Sequence, residues 1–460
     1  MPKTVVINVV GLTQRLIGEH TPRIRSFMQK GKGTVIRPVL PAVTCSAQAT
    51  YLTGKRPSEH GIVGNGWYFK EECEVKFWRQ SNKLVQAEKL WEHLKREHPD
   101  MRCANMFWWY NMYSSVDYSA TPRPNYLADG RKLPDMYSHP AELRDALQGE
   151  LGTFPLFHFW GPKTSIKSSQ WIADASIRTD QWHQPDLMLV YLPHLDYNIQ
   201  RHGLNFEIIQ KDLREIDAVV GQLIDHYGKQ DAHIVILSEY GITDVDRPIH
   251  PNRILREHGY LSIRHERGLE LLDAGASKAF AVADHQIAHI YLNHGTPKEE
   301  VAALLEKVPG VEQVLLGTDL QEAGLAHNRC GDIVLVADAR SWFTYYFWLD
   351  DAVAPDYARM VDIHKKPGYD PVEMVLNPKD PFVVPKVVWK LLKKKLGFRT
   401  VMDVIPLDAI LIKGSHGRVP EDRADWPVLL TNGEGHMKEE IVATDVFGIL
   451  KEMLLNPKID

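Results

Sequence analysis

Cysteine is scarce in this chain. Four cysteines, Cys45, Cys73, Cys103 and Cys330, are spread over 460 residues. None forms a C-x-x-C pair, which argues against a disulfide framework and a cysteine zinc ribbon and fits a reducing compartment. Long apolar runs are also missing. No stretch reaches the roughly 18 residues of a membrane-spanning helix, so no transmembrane segment is expected. Met1-Pro2-Lys3-Thr4 leads directly into a β-prone run without a signal-peptide h-region, and the expected location is cytoplasmic. Charge of one sign is not in large excess. The formal net charge of −5 gives no broad basic surface for a nucleic-acid polymer. There is no internal repeat, no GxxxxGK[ST] loop, no HExxH helix and no GxSxG elbow, which sets aside several hydrolase classes.

What the chain does have is alternation. Apolar, β-branched runs at Thr4–Val10, Thr34–Val39, Arg102–Phe107, Asp186–Leu192, His233–Leu237 and Ala409–Ile412 read as buried strands. Helical patterns separate them, among them Ala87–Glu97, Asn205–Tyr227 and Thr444–Leu455. That order implies an α/β fold with a mostly parallel sheet covered on both faces. Ligands of such sheets gather at the carboxyl ends of the strands. Residues 268–345 differ. Gln286–Leu292, Lys298–Lys307, Val311–Leu315 and Asp332–Ala337 read as a compact βαββ-like insert, a cap. An aromatic- and proline-rich stretch follows it, from Ser341 to Phe382. Pro385–Lys395 is a basic amphipathic helix, either a solvated face or one that rests on an anionic membrane surface.

Thr44 follows the β-prone run Val35–Leu40 and Pro41, and opens a short helix of small residues that stops at Gly54. This turn presents a hydroxyl beside a helix N-terminus, where backbone N–H groups favour negative charge. The alternative is a Thr that only N-caps its helix. The next residues, Thr53-Gly54-Lys55-Arg56-Pro57-Ser58-Glu59-His60-Gly61-Ile62-Val63-Gly64-Asn65, read T-G-x-x-P-x-x-H-G-I-x-x-N.

With Thr44, this motif resembles the nucleotide pyrophosphatase/phosphodiesterase branch of the alkaline phosphatase superfamily. The resemblance implies a three-layer alkaline phosphatase-like sandwich with an inserted α+β cap. The core would then be residues 1–267 and 346–460, and the cap 268–345. It also implies that Thr44 is the nucleophile and that Asn65 helps hold the transferring phosphoryl oxygens.

The resembling family uses divalent metal, commonly two zinc ions beside the Thr oxygen, and Mn²⁺ or Mg²⁺ can serve such chemistry. Its pattern places Asp196, Gln200 and His416 at one metal, and Thr44 and Glu239 at the other. Three positions depart from it. Val10 stands where an Asp is expected, Gln200 where a His is, and Tyr240 where a second His is. Asn8 shares a strand face with Val10 but lies about 7 Å further back. His194 and His202 offer substitutes for Gln200, and Asp362, His364 and Asp370 offer a displaced site. One metal, two metals or none are therefore all open.

Trp67, His364 and Lys366 are candidate substrate contacts, by stacking and by charge. Trp108, Trp109 and Tyr110 follow a strand and offer the same, though core filling is the alternative. His285 and His289 alternate onto one face of the cap's first strand. The C-x-P-x-R of the related sulfatases is absent around Cys45. The expected function is a metal-dependent phosphohydrolase acting on a phosphodiester or related phosphorus ester of a small phosphorylated substrate. A non-hydrolytic member binding a phosphorylated ligand or a partner enzyme, and a phosphoryl or nucleotidyl transferase, are the alternatives.

Overall fold

The computed structural model describes residues 1–433 and 437–456. Its centre is a nine-stranded sheet. The strand order is Glu440–Val442, Lys32–Arg37, Val428–Thr431, His233–Leu237, Thr4–Val9, Leu187–Leu192, Cys103–Met106, Tyr118–Pro122 and Met136–His139. Thr4–Val9 runs parallel to both neighbours, pairing Ile7 with Val190 and with Ile236. Val428–Thr431 is antiparallel to the strands on either side of it. Every residue of Thr4–Val9, Leu187–Leu192 and His233–Leu237 is buried. Strands that are apolar throughout need cover on both faces, and two helix groups supply it. Pro22–Lys30, Ile166–His183 and Phe206–Gly228 pack together, and Thr44–Thr53 packs with Asp445–Leu455.

Two expected elements come out differently. The Thr34–Val39 strand is Lys32–Arg37, because Pro38 has no N–H for the ladder. Ala409–Ile412 is not a strand. Ala409–Leu411 is a single 3-10 turn, and the sheet position beside His233–Leu237 belongs to Val428–Thr431.

The insert carries its own four-stranded antiparallel sheet, ordered Ala279–Asp284, Ile287–Leu292, Ile333–Ala337 and Val311–Leu316. Its first strand precedes the elements expected from sequence. Asp284 ends that strand, and His285 and Gln286 form the turn, with His285 at φ +62°. His285 therefore sits at a hairpin tip, whereas His289 lies within the second strand. Trp342, Phe343, Tyr345, Tyr346, Phe347 and Trp348 are all buried in the hydrophobic cluster beneath this sheet. The basic segment forms the helix Val383–Lys395, whose Val384, Val388, Trp389, Leu391 and Leu392 are exposed. Among the described residues no helix is long and apolar enough to cross a membrane.

Candidate functional site

Thr44 is the first residue of a helix that is buried from end to end, Thr44–Thr53. Val43, extended at φ −131°, holds the cap position, so Thr44 does not cap its own helix. Gly54 ends the helix at φ +67°, a left-handed conformation that glycine adopts without strain. The loop before Thr44 is tied to the His416 turn. Ala42 N–H donates to the Gly417 carbonyl at 2.8 Å, and the Ala42 carbonyl lies 2.8 Å from His416 Nδ1. The motif histidine has a structural part. His60 Nε2 lies 3.1 Å from Thr50 Oγ1, and its Nδ1 accepts from Ile62 N–H. The imidazole thereby pins the helix to the turn that follows it.

The Thr44 hydroxyl lies 3.2 Å from the Tyr240 hydroxyl, and Tyr240 donates to Asp196 Oδ1 at 3.2 Å. Gln200 donates to Asp196 Oδ2 at 2.8 Å and accepts from the Tyr369 hydroxyl at 3.0 Å. Asp196 lies in the first turn of the helix His194–His202, directly after the Leu187–Leu192 strand. His416 stacks on the Tyr240 ring with centroids 3.5 Å apart. Among the described residues its Nε2 has no hydrogen-bond partner, and it lies 3.9 Å from Asp196 Oδ1. The cap's His285 is packed between His416 and Tyr369, at centroid distances of 3.6 and 3.7 Å. Burial raises the Asp196 carboxyl to about 6 and lowers His416 to about 3.

Glu239 also neighbours Thr44, two residues beyond the His233–Leu237 strand. Its Oε1 accepts from Asn8 Nδ2 at 2.6 Å and Gln48 Nε2 at 2.5 Å, and among the described residues its Oε2 has no hydrogen-bond partner. Burial raises its carboxyl to about 8. Asn8, two residues before Val10 on its strand, thus meets the site through Glu239.

Asn65 sits beneath the helix N-terminus. Its Oδ1 accepts from Cys45 N–H at 3.0 Å, while its own backbone N–H and Nδ2 donate to Asp284 at 2.8 and 3.0 Å. Asp284 comes from the cap, and burial raises its carboxyl to about 7. It was missed as a site residue. The available signal was an acidic residue next to His285 at a strand boundary.

Other candidates lie elsewhere. Trp67 is buried, stacked on Phe69 and covered by the Arg329 guanidinium at 4.9 Å. Lys366 is buried between Asp370 at 2.7 Å and Glu373 at 2.8 Å, so its charge is neutralised inside the fold. His364 and His202 are exposed. His194 points to the helix Phe206–Gly228 rather than to Asp196, with Nε2 3.3 Å from Asp212 and 3.2 Å from Glu215. Asp362 offers its backbone N–H to Glu373. The displaced site from Asp362, His364 and Asp370 therefore does not assemble around Asp196.

The donors beside Thr44 do not fit a two-zinc centre. Structural and catalytic zinc sites take three or four good protein ligands. Val10 offers none, Gln200 spends both amide atoms on Asp196 and Tyr369, and the Tyr240 hydroxyl stands between Thr44 and Asp196.

A buried helix-initiating threonine at the carboxyl edge of a mostly parallel sheet, with two buried carboxyls nearby, defines an alkaline phosphatase-like α/β protein. The family model described as type I phosphodiesterase / nucleotide pyrophosphatase matches residues 4–370. The chain belongs to that family. A Schizosaccharomyces pombe protein described as an uncharacterized pyrophosphatase/phosphodiesterase is 24% identical over 263 residues, 55% of this chain and 46% of its own length. The chain thus spans about half the length of that curated relative. Two solved structures share the fold at 15% identity. Murine ectonucleotide pyrophosphatase/phosphodiesterase 5, in an inactive form with AMP, gives a TM-score of 0.59 and covers 100% of this chain and 96% of its own. Phosphonoacetate hydrolase from Sinorhizobium meliloti 1021 with phosphonoformate gives 0.63, covering 98% and 96%.

Proposed function

We propose that this chain hydrolyses a phosphodiester, pyrophosphate or related phosphorus ester of a small molecule, with Thr44 as nucleophile. The observation that carries the reading is the chain of hydroxyls from Thr44 through Tyr240 to Asp196. Thr44 Oγ1 attacks phosphorus and the bond to the leaving oxygen breaks, giving a phosphothreonine that water then resolves. The Thr44 proton passes to Tyr240 as the Tyr240 proton passes to Asp196, a carboxylate at neutral pH. Glu239 is protonated there, and its free Oε2 supplies a proton to the leaving oxygen. Two carboxyls pushed to different pKa values divide the acid and base roles. Asn65, held by Asp284, orders the helix N-terminus that faces the phosphoryl oxygens.

The family's chemistry uses a divalent ion. The residues here do not build the paired centre, so the proton path above runs through side chains alone. The ligands named for the two structural relatives, AMP and phosphonoformate, are small phosphorus-containing anions and support a small anionic substrate. Trp78, Trp109 and Trp160, each partly exposed, group around Tyr369 with Trp78 and Trp109 centroids 5.0 Å apart. They supply an apolar wall for a ring-bearing leaving group.

Purified chain and Thr44→Ala are to be assayed on bis-p-nitrophenyl phosphate, a pyrophosphate and a phosphonate, with EDTA and with Zn²⁺, Mn²⁺ or Mg²⁺. Turnover by the native chain that Thr44→Ala lacks is expected. Equal background rates for both proteins under every condition would leave the ligand-binding reading in its place.

A further inference from the structure

We propose a divalent-cation site, separate from the Thr44 site, formed by His194, Asp212 and Glu215. His194 opens the helix His194–His202, and the two acids lie on the inner side of Phe206–Gly228. One atom from each residue falls within 4.8 Å of the others. His194 is 2% exposed, and among the described residues neither of its ring nitrogens has a hydrogen-bond partner. A buried imidazole whose nitrogens lack hydrogen bonds is costly, and this one points its Nε2 at two carboxylates.

The distances suit a metal as well as an ion pair. His194 Nε2 lies 3.3 Å from Asp212 Oδ1 and 3.2 Å from Glu215 Oε2. A charge-assisted N–H···O bond closes to about 2.7–2.9 Å. A tetrahedral ion with bonds of about 2.0–2.1 Å separates its ligand atoms by about 3.3 Å. One neutral imidazole and two carboxylates suit Zn²⁺, with Mn²⁺ the next choice for a set rich in oxygen. The Glu215 side chain is 30% exposed, which leaves a water ligand and a path of entry. Asn198 donates to Asp212 at 2.8 Å and is itself held by Arg201 at 2.8 Å. Such outer bonds orient ligand carboxylates.

The same short helix carries Asp196 and Gln200. An ion here clamps it to Phe206–Gly228 and so fixes the acceptor end of the Thr44 proton path. The ion itself stays out of that path, and zinc uptake is measured independently of any turnover.

The test uses full-length protein stripped with EDTA and dialysed against Zn²⁺, with bound metal counted by elemental analysis and thermal stability measured with and without the ion. Native chain and His416→Ala should each hold about one equivalent that resists dialysis. Glu215→Gln, a change at a partly exposed position, should lose it and lose the zinc-dependent rise in melting temperature. Co²⁺-loaded native protein should show the visible absorption of a tetrahedral site, absent from Glu215→Gln. The proposal is overturned if Glu215→Gln retains the equivalent, if His416→Ala alone loses it, or if the native chain binds none. The last result would leave His194 packed against two acids with no metal between them.

Discussion

At the scale of single residues, the departures from the family's ligand pattern are substitutions with a structural logic. Tyr240 replaces an expected histidine and puts a hydroxyl within 3.2 Å of both Thr44 and Asp196. Gln200 replaces another and satisfies Asp196 by hydrogen bonding. If this network moves the Thr44 proton, Tyr240→Phe should lower kcat by about 100-fold, the size of a lost general-base pathway. KM should change little, because the ring and its stack on His416 remain. Steady-state kinetics with a chemical-denaturation curve check this, and an unchanged kcat would sink the relay. The positions of Thr44, Asn65, Asp196, Glu239 and His416 were legible because each lies in a local motif or at the end of an apolar run. What Tyr240 and Gln200 do was not, because a residue at an expected ligand position reveals nothing of its hydrogen-bond partner across the sheet. Lys366 shows the converse. Its positive charge in a turn suggested a phosphate contact, but Asp370 and Glu373 enclose it.

At the scale of elements, the central strands were readable to within a few residues because continuous apolar runs mark strands buried on both faces. Ala409–Ile412 misled for the same reason. An apolar tetrapeptide is consistent with either a strand or a buried turn, and only the pairing of Val428–Thr431 with His233–Leu237 decides it. The cap's first strand was missed, and with it the most consequential contact between insert and core. The hairpin tip at Asp284 supplies two acceptors to Asn65, which in turn bonds the helix N-terminus. Asp284→Ala should leave two buried donors unpartnered, costing about 1–3 kcal/mol each at most. It should also weaken substrate binding, since Asn65 is then free to rotate. Asp284→Asn, which keeps one acceptor, should fall between. Denaturant titration together with KM measurement checks the ranking, and an Asp284→Ala protein with native stability and native KM refutes the coupling.

At the scale of the whole molecule, stability should peak in a narrow pH range, because two sets of buried groups oppose each other. His60 and His416 are lowered by burial to about 3, and His250 and His289 to about 4. His285 is also lowered by burial. The ordinary value is 6.5. These groups take up protons on unfolding below that value, so each removes stability as pH falls, by about 1.4 kcal/mol per unit at most. Asp196, Asp284 and Glu239 run the other way. Burial raises them to about 6, 7 and 8. They hold protons in the fold that the unfolded chain has already released, so each removes stability as pH rises toward its folded value. Between pH 4.5 and 6 the histidines outnumber the acids, and stability should climb with pH. Above 6.5 the unfolded histidines shed their remaining protons, and Asp284 and Glu239 come to dominate, so stability should decline toward pH 8. Thermal melts at half-unit steps from pH 4.5 to 8.5, at constant ionic strength, should therefore show a maximum near 6.5. His60→Gln, which can keep both hydrogen bonds of the imidazole without its titration, should flatten the acid limb and leave the alkaline limb unchanged. A melting temperature that rises steadily to pH 8.5 would mean that Asp284 and Glu239 are ionised in the fold, and that the acid–base division assigned to the Thr44 site is wrong.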